Sequence, residues 1–82
     1  MIKILDFYAD WCKPCVLMKP AINKLSEEYN VEKIDVDSND EEKNKYGVMS
    51  IPTIIITKDD KELKRFTGVT SADTIKKAIE GL

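Results

Sequence analysis

Hydrophobic positions along this chain alternate between short dense runs and spaced stripes. Ile2 to Ala9 is apolar except at Lys3 and Asp6, which predicts an inner strand covered on both faces. Asp10-Trp11-Cys12-Lys13-Pro14-Cys15 interrupts it. From Pro14 onward, Val16/Leu17/Met18, Ala21/Ile22, Leu25 and Tyr29 recur at three- and four-residue steps, giving one buried face of a helix. Pro14 suits the first turn, and Pro20 inside the helix should kink it. Val31, Ile34 and Val36 predict a second strand that ends in the Asp37-Ser38-Asn39-Asp40 turn. Ser38 and Glu41 have capping-box spacing, and the short polar helix after them should stop at Gly47.

Thr53 to Thr57 is a β-branched strand, joined through Lys58-Asp59-Asp60-Lys61 to a charged strand around Glu62 to Thr67 that reads as a sheet edge. Gly68 turns the chain. Thr70 and Asp73 again have capping-box spacing, and Ile75, Ala78, Ile79 and Leu82 form the stripe of a last helix. The order β-α-β-α-β-β-α requires a right-handed parallel βαβ unit followed by an antiparallel hairpin. It predicts an α/β fold with a four-stranded mixed sheet and helices on both faces, in one domain from residue 1 to 82.

Composition narrows the function. A chain of 82 residues buries about 60% of the surface its unfolded form exposes, so it has room for one core and one site. Thirteen basic and fifteen acidic residues are interspersed, which argues against nucleic acid as a partner. No signal-peptide pattern opens the chain, and no apolar run approaches the ~20 residues that span a bilayer. The expectation is a soluble cytoplasmic protein that binds neither nucleic acid nor membrane. With two cysteines and no histidine, a disulfide framework and a four-ligand zinc site within one chain are both excluded. In a reducing compartment, two close cysteines point to catalysis or a shared metal rather than a staple.

Cys12 and Cys15 stand three apart where the first strand passes into a helix, so both sulfurs lie on one turn and a disulfide can close with little movement. Cys12, at the helix N-terminus, faces unpaired N–H groups and the positive end of the dipole, which favour a thiolate. Cys12 is therefore expected to be the nucleophile, and Cys15, one turn inside and more buried, the resolving thiol. The competing readings are a zinc half-site completed by a second chain and two inert buried thiols.

Trp11-Cys12-Lys13-Pro14-Cys15, preceded by Asp6-Phe7-Tyr8-Ala9, resembles the active-site stretch of thioredoxins, whose usual form has Gly at the position of Lys13. The similarity continues through Lys19-Pro20, Lys33 to Asp37, Tyr46-Gly47-Val48, Ile51-Pro52-Thr53 and Gly68, and so covers essentially the whole chain. It implies a redox-active Cys12–Cys15 disulfide that reduces disulfide-containing proteins, with no bound cofactor or metal and with electrons from a thioredoxin reductase or similar dithiol donor. The fold it implies lacks the first strand and helix of full-size thioredoxins, leaving the strand Val31 to Val36 as an exposed edge. By the same resemblance the protein is a monomer.

Site residues carry over singly. Pro52 matches the cis proline facing the disulfide, which would turn Ile51 outward to pair with an extended substrate; the alternative is an ordinary trans proline. Asp6 matches the buried acid that assists proton transfer at Cys15, and Lys33 a lysine near it; an Asp reaching solvent at a strand end is the alternative. Unpaired burial should raise the Asp6 pKa. Trp11, Ile51, Pro52, Gly68 and Val69 would form an apolar substrate patch with Pro14, Trp11 being otherwise a core residue.

Lys13, Pro14 and Pro52 tune the couple. A cation at Lys13 stabilises the thiolate of Cys12 and shifts the potential by roughly 5 to 20 mV, leaving a reductant near the thioredoxin range of about -270 mV. Two other classes remain open. A glutaredoxin-like, glutathione-dependent enzyme has the same size, but Thr67-Gly68-Val69-Thr70 lacks the paired glycines and acid of its glutathione site. A non-catalytic binding subunit would use the patch around Trp11 without turnover.

Overall fold

The computed structural model describes residues 1–82. Its strands are β1 (Ile2–Tyr8), β2 (Asn30–Asp35), β3 (Thr53–Lys58) and β4 (Lys61–Thr67), and its helices α1 (Lys13–Leu17), α2 (Lys19–Ser26), α3 (Asp40–Lys45) and α4 (Ala72–Glu80). The sheet order is β2-β1-β3-β4. β1 is parallel to β2 and antiparallel to β3, and β4 is antiparallel to β3. This is the expected mixed sheet, with β2 and β4 as its two edges.

Alternation along β1 sorts the core into two layers. Leu5 and Phe7 pack with Ile34, Val48 and Ile55, and Tyr46 at the end of α3 joins them edge-on to Phe7. Ile4 packs on the other face with Met18, Ile22 and Leu25 of the α1–α2 arm and with Ile75 of α4. Helices therefore cover both faces. Asp6 points to the same face as Ile4, beneath the α1–α2 arm, because residues two apart share a face.

Several local expectations shift. The first helix is two helices that meet at Met18 rather than one kinked rod. Pro20 has no N–H to bond the carbonyl four residues back, so the ladder breaks there. Of the predicted stripe, Met18, Ile22 and Leu25 are buried, whereas Val16 and Leu17 are exposed, since the short α1 turns only Cys15 inward.

Neither predicted capping box forms, and each helix takes its N-cap one residue later. Asn39 is the N-cap of α3 without a side-chain cap bond, its Nδ2 donating instead to the Asp35 carbonyl at 2.9 Å. Ser71 caps α4, its Oγ accepting from the Thr74 N–H at 3.2 Å, while the Thr70 hydroxyl donates to the Gly68 carbonyl. Leu82 is exposed because α4 ends at Glu80, before another turn could bring it to the sheet. The β3–β4 hairpin turns on Asp59 and Asp60, both left-handed at φ 52° and 67°, as a two-residue hairpin requires.

Candidate active site

The site is assembled from three loops at one end of the sheet: the β1–α1 turn, the α3–β3 connection and the β4–α4 connection. β1 delivers Trp11 and Cys12 into the turn, where Cys12 N–H donates to the Ala9 carbonyl at 3.1 Å. Cys12 is the N-cap of α1, with an extended backbone at φ -87° and ψ 106°. Its Sγ accepts from the Cys15 N–H at 3.2 Å, so one of the unpaired donors of the helix start is aimed at this sulfur. Cys12 and Cys15 form a disulfide with Cα atoms 5.2 Å apart. The expected difference in burial is absent: Cys12 is 5% and Cys15 7% exposed. What separates them is position, because Cys12 holds the helix cap and Cys15 lines the cavity under the helix.

That cavity, of about 180 Å³, brings Cys15 together with Asp6, Tyr8, Lys19 and Lys33. Its volume and polar lining suit it to hold water. Asp6 is 5% exposed, in mid-strand rather than at a strand end. Burial pushes its carboxyl up to about 6, partly offset by the charge of Lys33, its ladder partner on β2. Lys33 itself is exposed and makes no ion pair with Asp6 within 4 Å. Tyr8 carries no motif of its own in the sequence, yet its phenol faces the same cavity. Its pKa is raised by desolvation and then by the carboxylates of Asp35, Asp10 and Asp6. The period of two along β1 was the available signal, since it puts residues 6 and 8 on one face.

The Ile51–Pro52 bond is cis, and Pro52 is buried. The N–H and C=O of half-buried Ile51 have no partner within the chain, which leaves them free for an added strand. The Pro52 carbonyl accepts from Gly68 N–H at 2.8 Å, tying the second loop to the third. Gly68 sits at φ +91°, a conformation that favours glycine, and presents Val69 with 57% of its surface exposed. Met18 Sδ accepts from Thr70 N–H at 3.2 Å, which fastens this third loop to the break between α1 and α2.

Trp11 is 69% exposed and belongs to the rim rather than the core. Its Nε1 donates to Asp37 Oδ2 at 2.8 Å, a bond across 26 residues that no sequence spacing announces. Lys13 and Pro14 are exposed on the outside of the same turn. Met49, also unforeseen, is 96% exposed and lines a groove with Trp11 and Ile51. No group of three or more His, Cys, Asp or Glu side chains is placed to hold a metal ion.

Comparison with known proteins extends this picture over the whole chain. Residues 1–81 match the family model described as Thioredoxin. The thioredoxin of Chlamydia trachomatis is 38% identical over 79 residues, which cover 93% of this chain and 78% of that protein. The Bacillus subtilis thioredoxin is 35% identical over 95% of this chain and 79% of its own length. Among solved structures, a mutant thioredoxin from Halobacterium salinarum superposes with a TM-score of 0.91 at 36% identity, covering 98% of this chain and 73% of that one. Thioredoxin-2 of the malaria parasite gives 0.92 at 29% identity, covering 100% and 84%.

Proposed function

The chain belongs to the thioredoxin family and is a thiol-disulfide oxidoreductase that reduces protein disulfides, and we propose that its site divides the work between Cys12 as nucleophile and Cys15 as resolving thiol. The observation that supports this division is the N-cap position of Cys12, whose sulfur accepts a backbone N–H bond at 3.2 Å, the interaction that favours a thiolate. In the reduced chain the Cys12 thiolate attacks one sulfur of the target disulfide. A mixed disulfide forms and the other target sulfur leaves as a thiolate. Cys15 then gives its proton to the Asp6 carboxylate through water in the shared cavity and attacks Cys12 Sγ, releasing the second target sulfur. The chain ends as the Cys12–Cys15 disulfide and the target as two thiolates, which take up protons from Asp6 and solvent, so two electrons have passed.

Asp6 is the proton acceptor in this scheme, and Lys33 keeps part of its charge compensated. Trp11, Ile51, Pro52, Gly68 and Val69 are the surface on which the target segment lies, the free N–H and C=O of Ile51 pairing with its backbone. Resetting the disulfide takes two electrons from a dithiol donor such as a thioredoxin reductase. We place this carrier in the cytoplasm, as one domain and as a monomer; no helix is long and apolar enough to cross a membrane.

The test is a trapping experiment. Cys15→Ser, reduced and mixed with a disulfide-bonded protein, is expected to accumulate a stable mixed disulfide through Cys12, seen as a mass adduct. Cys12→Ser is expected to form none. Adducts on Cys15 in Cys12→Ser at comparable yield would reverse the roles.

A further inference from the structure

The groove beside the disulfide is one-sided in charge. Its volume is about 290 Å³, with Trp11, Met49 and Ile51 forming its apolar part and Asp37, Asp40 and Lys43 its charged part. Through Asp37 and Asp40 it continues into a larger recess of about 460 Å³ that also includes Glu41 and Glu42 and is lined by no hydrophobic residue. Asp37 is held against Trp11 by the indole bond, so this acidic wall begins at the residue next to Cys12. None of the carboxylates of Asp37, Asp40, Glu41 and Glu42 lies within 4 Å of a lysine or arginine nitrogen.

First-turn acids complement the dipole of α3, which accounts for their place in the helix. It does not neutralise the field they send into the groove. Lys43 is the one cation lining that groove, against the four acids of the wall. The apolar floor is open to match, with Met49 at 96% and Trp11 at 69% exposure.

From this juxtaposition we infer that the groove selects target segments carrying lysine or arginine beside the attacked cysteine, on the side that faces Asp37, Asp40, Glu41 and Glu42. The inference deepens the reading of Cys12–Cys15 as an oxidoreductase site and rests on it. The apolar floor and the free backbone of Ile51 hold a segment without regard to its charge. The acidic wall then favours a cationic flank through attraction and rejects an anionic one, an effect that appears mainly in the association rate. Uncompensated surface carboxylates act over the Debye length, which shrinks from ~30 Å at 0.01 M salt to ~3 Å at 1 M, so the preference belongs to low salt.

Three peptides with one cystine loop and flanks of lysine, serine or glutamate test it, reacted in single turnover with the reduced protein. At about 0.01 M salt the lysine peptide is expected to be reduced roughly fivefold faster than the serine peptide and the glutamate peptide more slowly, with the ratios falling below about twofold at 1 M. In D40N/E41Q/E42Q, which keeps the Trp11–Asp37 bond, the low-salt ratio of lysine to serine is expected to fall below about two. In D59N/D60N/E80Q, which removes as many charges from the far ends of β3 and α4, it is expected to stay above about three. Equal rates for all three peptides, a preference that survives the first variant, or one lost in the second would each overturn the inference while leaving the oxidoreductase reading intact. Failure to reduce even the serine peptide would overturn both.

Discussion

Asp6 is the residue on which burial, charge and chemistry meet. A carboxyl in the middle of β1 loses its hydration, and its pKa rises to about 6 because the exposed Lys33 repays only part of that loss. In the oxidised protein the folded state holds this proton up to about pH 6, whereas the ordinary carboxyl loses it near 3.8. Folding therefore binds a proton in that window. The stability it contributes is fully present below about pH 3.8 and is lost as pH rises through about 6, a change on the order of 3 kcal/mol. Asp6→Asn is expected to remove this slope in urea titrations between pH 4 and 7 and to be the more stable protein at pH 7. It is also expected to slow decay of the mixed disulfide roughly tenfold to a hundredfold, measured by stopped flow, because the proton acceptor for Cys15 is gone. Lys13 is exposed on the turn, so in the proposed scheme it bears on Cys12 through its charge. Lys13→Gly is expected to lower the reduction potential by roughly 5 to 20 mV in equilibration with a reference dithiol.

At the scale of elements, the loops bearing the site are held by bonds between distant parts of the chain. Arg65 on β4 donates to both carboxylate oxygens of Glu62 at 2.7 Å and also to the Tyr46 carbonyl at the C-terminus of α3, satisfying an acceptor that the helix cannot. The chain then passes through Gly47, left-handed at φ +61°, toward the Ile51–Pro52 corner. A Cβ at Gly47 would meet nothing within 4 Å, so the cost of adding one is purely conformational. Gly47→Ala is expected to cost about 1 to 2 kcal/mol in denaturant midpoint measurements, and Gly47→Asn less. That stop was readable from sequence because only the backbone around Gly47 decides it. The caps were misplaced by a residue because Ser38 and Asn39, and likewise Thr70 and Ser71, are equally able to cap. Contacts outside the helices decide which side chains cap: the Thr70 hydroxyl is taken by the Gly68 carbonyl, leaving Ser71 to cap α4, and the Asn39 amide is taken by the Asp35 carbonyl, leaving α3 without a side-chain cap.

For the molecule as a whole, β2 at one edge of the sheet has consequences beyond the site. Its burial pattern leaves Asn30, Glu32 and Lys33 exposed, and charged side chains on an edge discourage pairing with another chain. The protein is accordingly expected to elute as a monomer in size-exclusion chromatography with light scattering, at concentrations up to about 100 µM; a concentration-dependent dimer would refute this. The βαβ unit, the β3–β4 hairpin, the two-sided core and the cysteine pair on the first helical turn were all legible in the chain alone, since each follows from period, spacing and the short range of turn chemistry. So was the rim position of Trp11, which follows from its place in the β1–α1 turn. Tertiary structure decided the rest. It brought Asp37 to the Trp11 indole and Arg65 to the Tyr46 carbonyl, and it left Met49 uncovered beside Ile51. Such contacts depend on how far each helix slides and turns on the sheet, a matter of packing summed over the whole core that no local pattern carries.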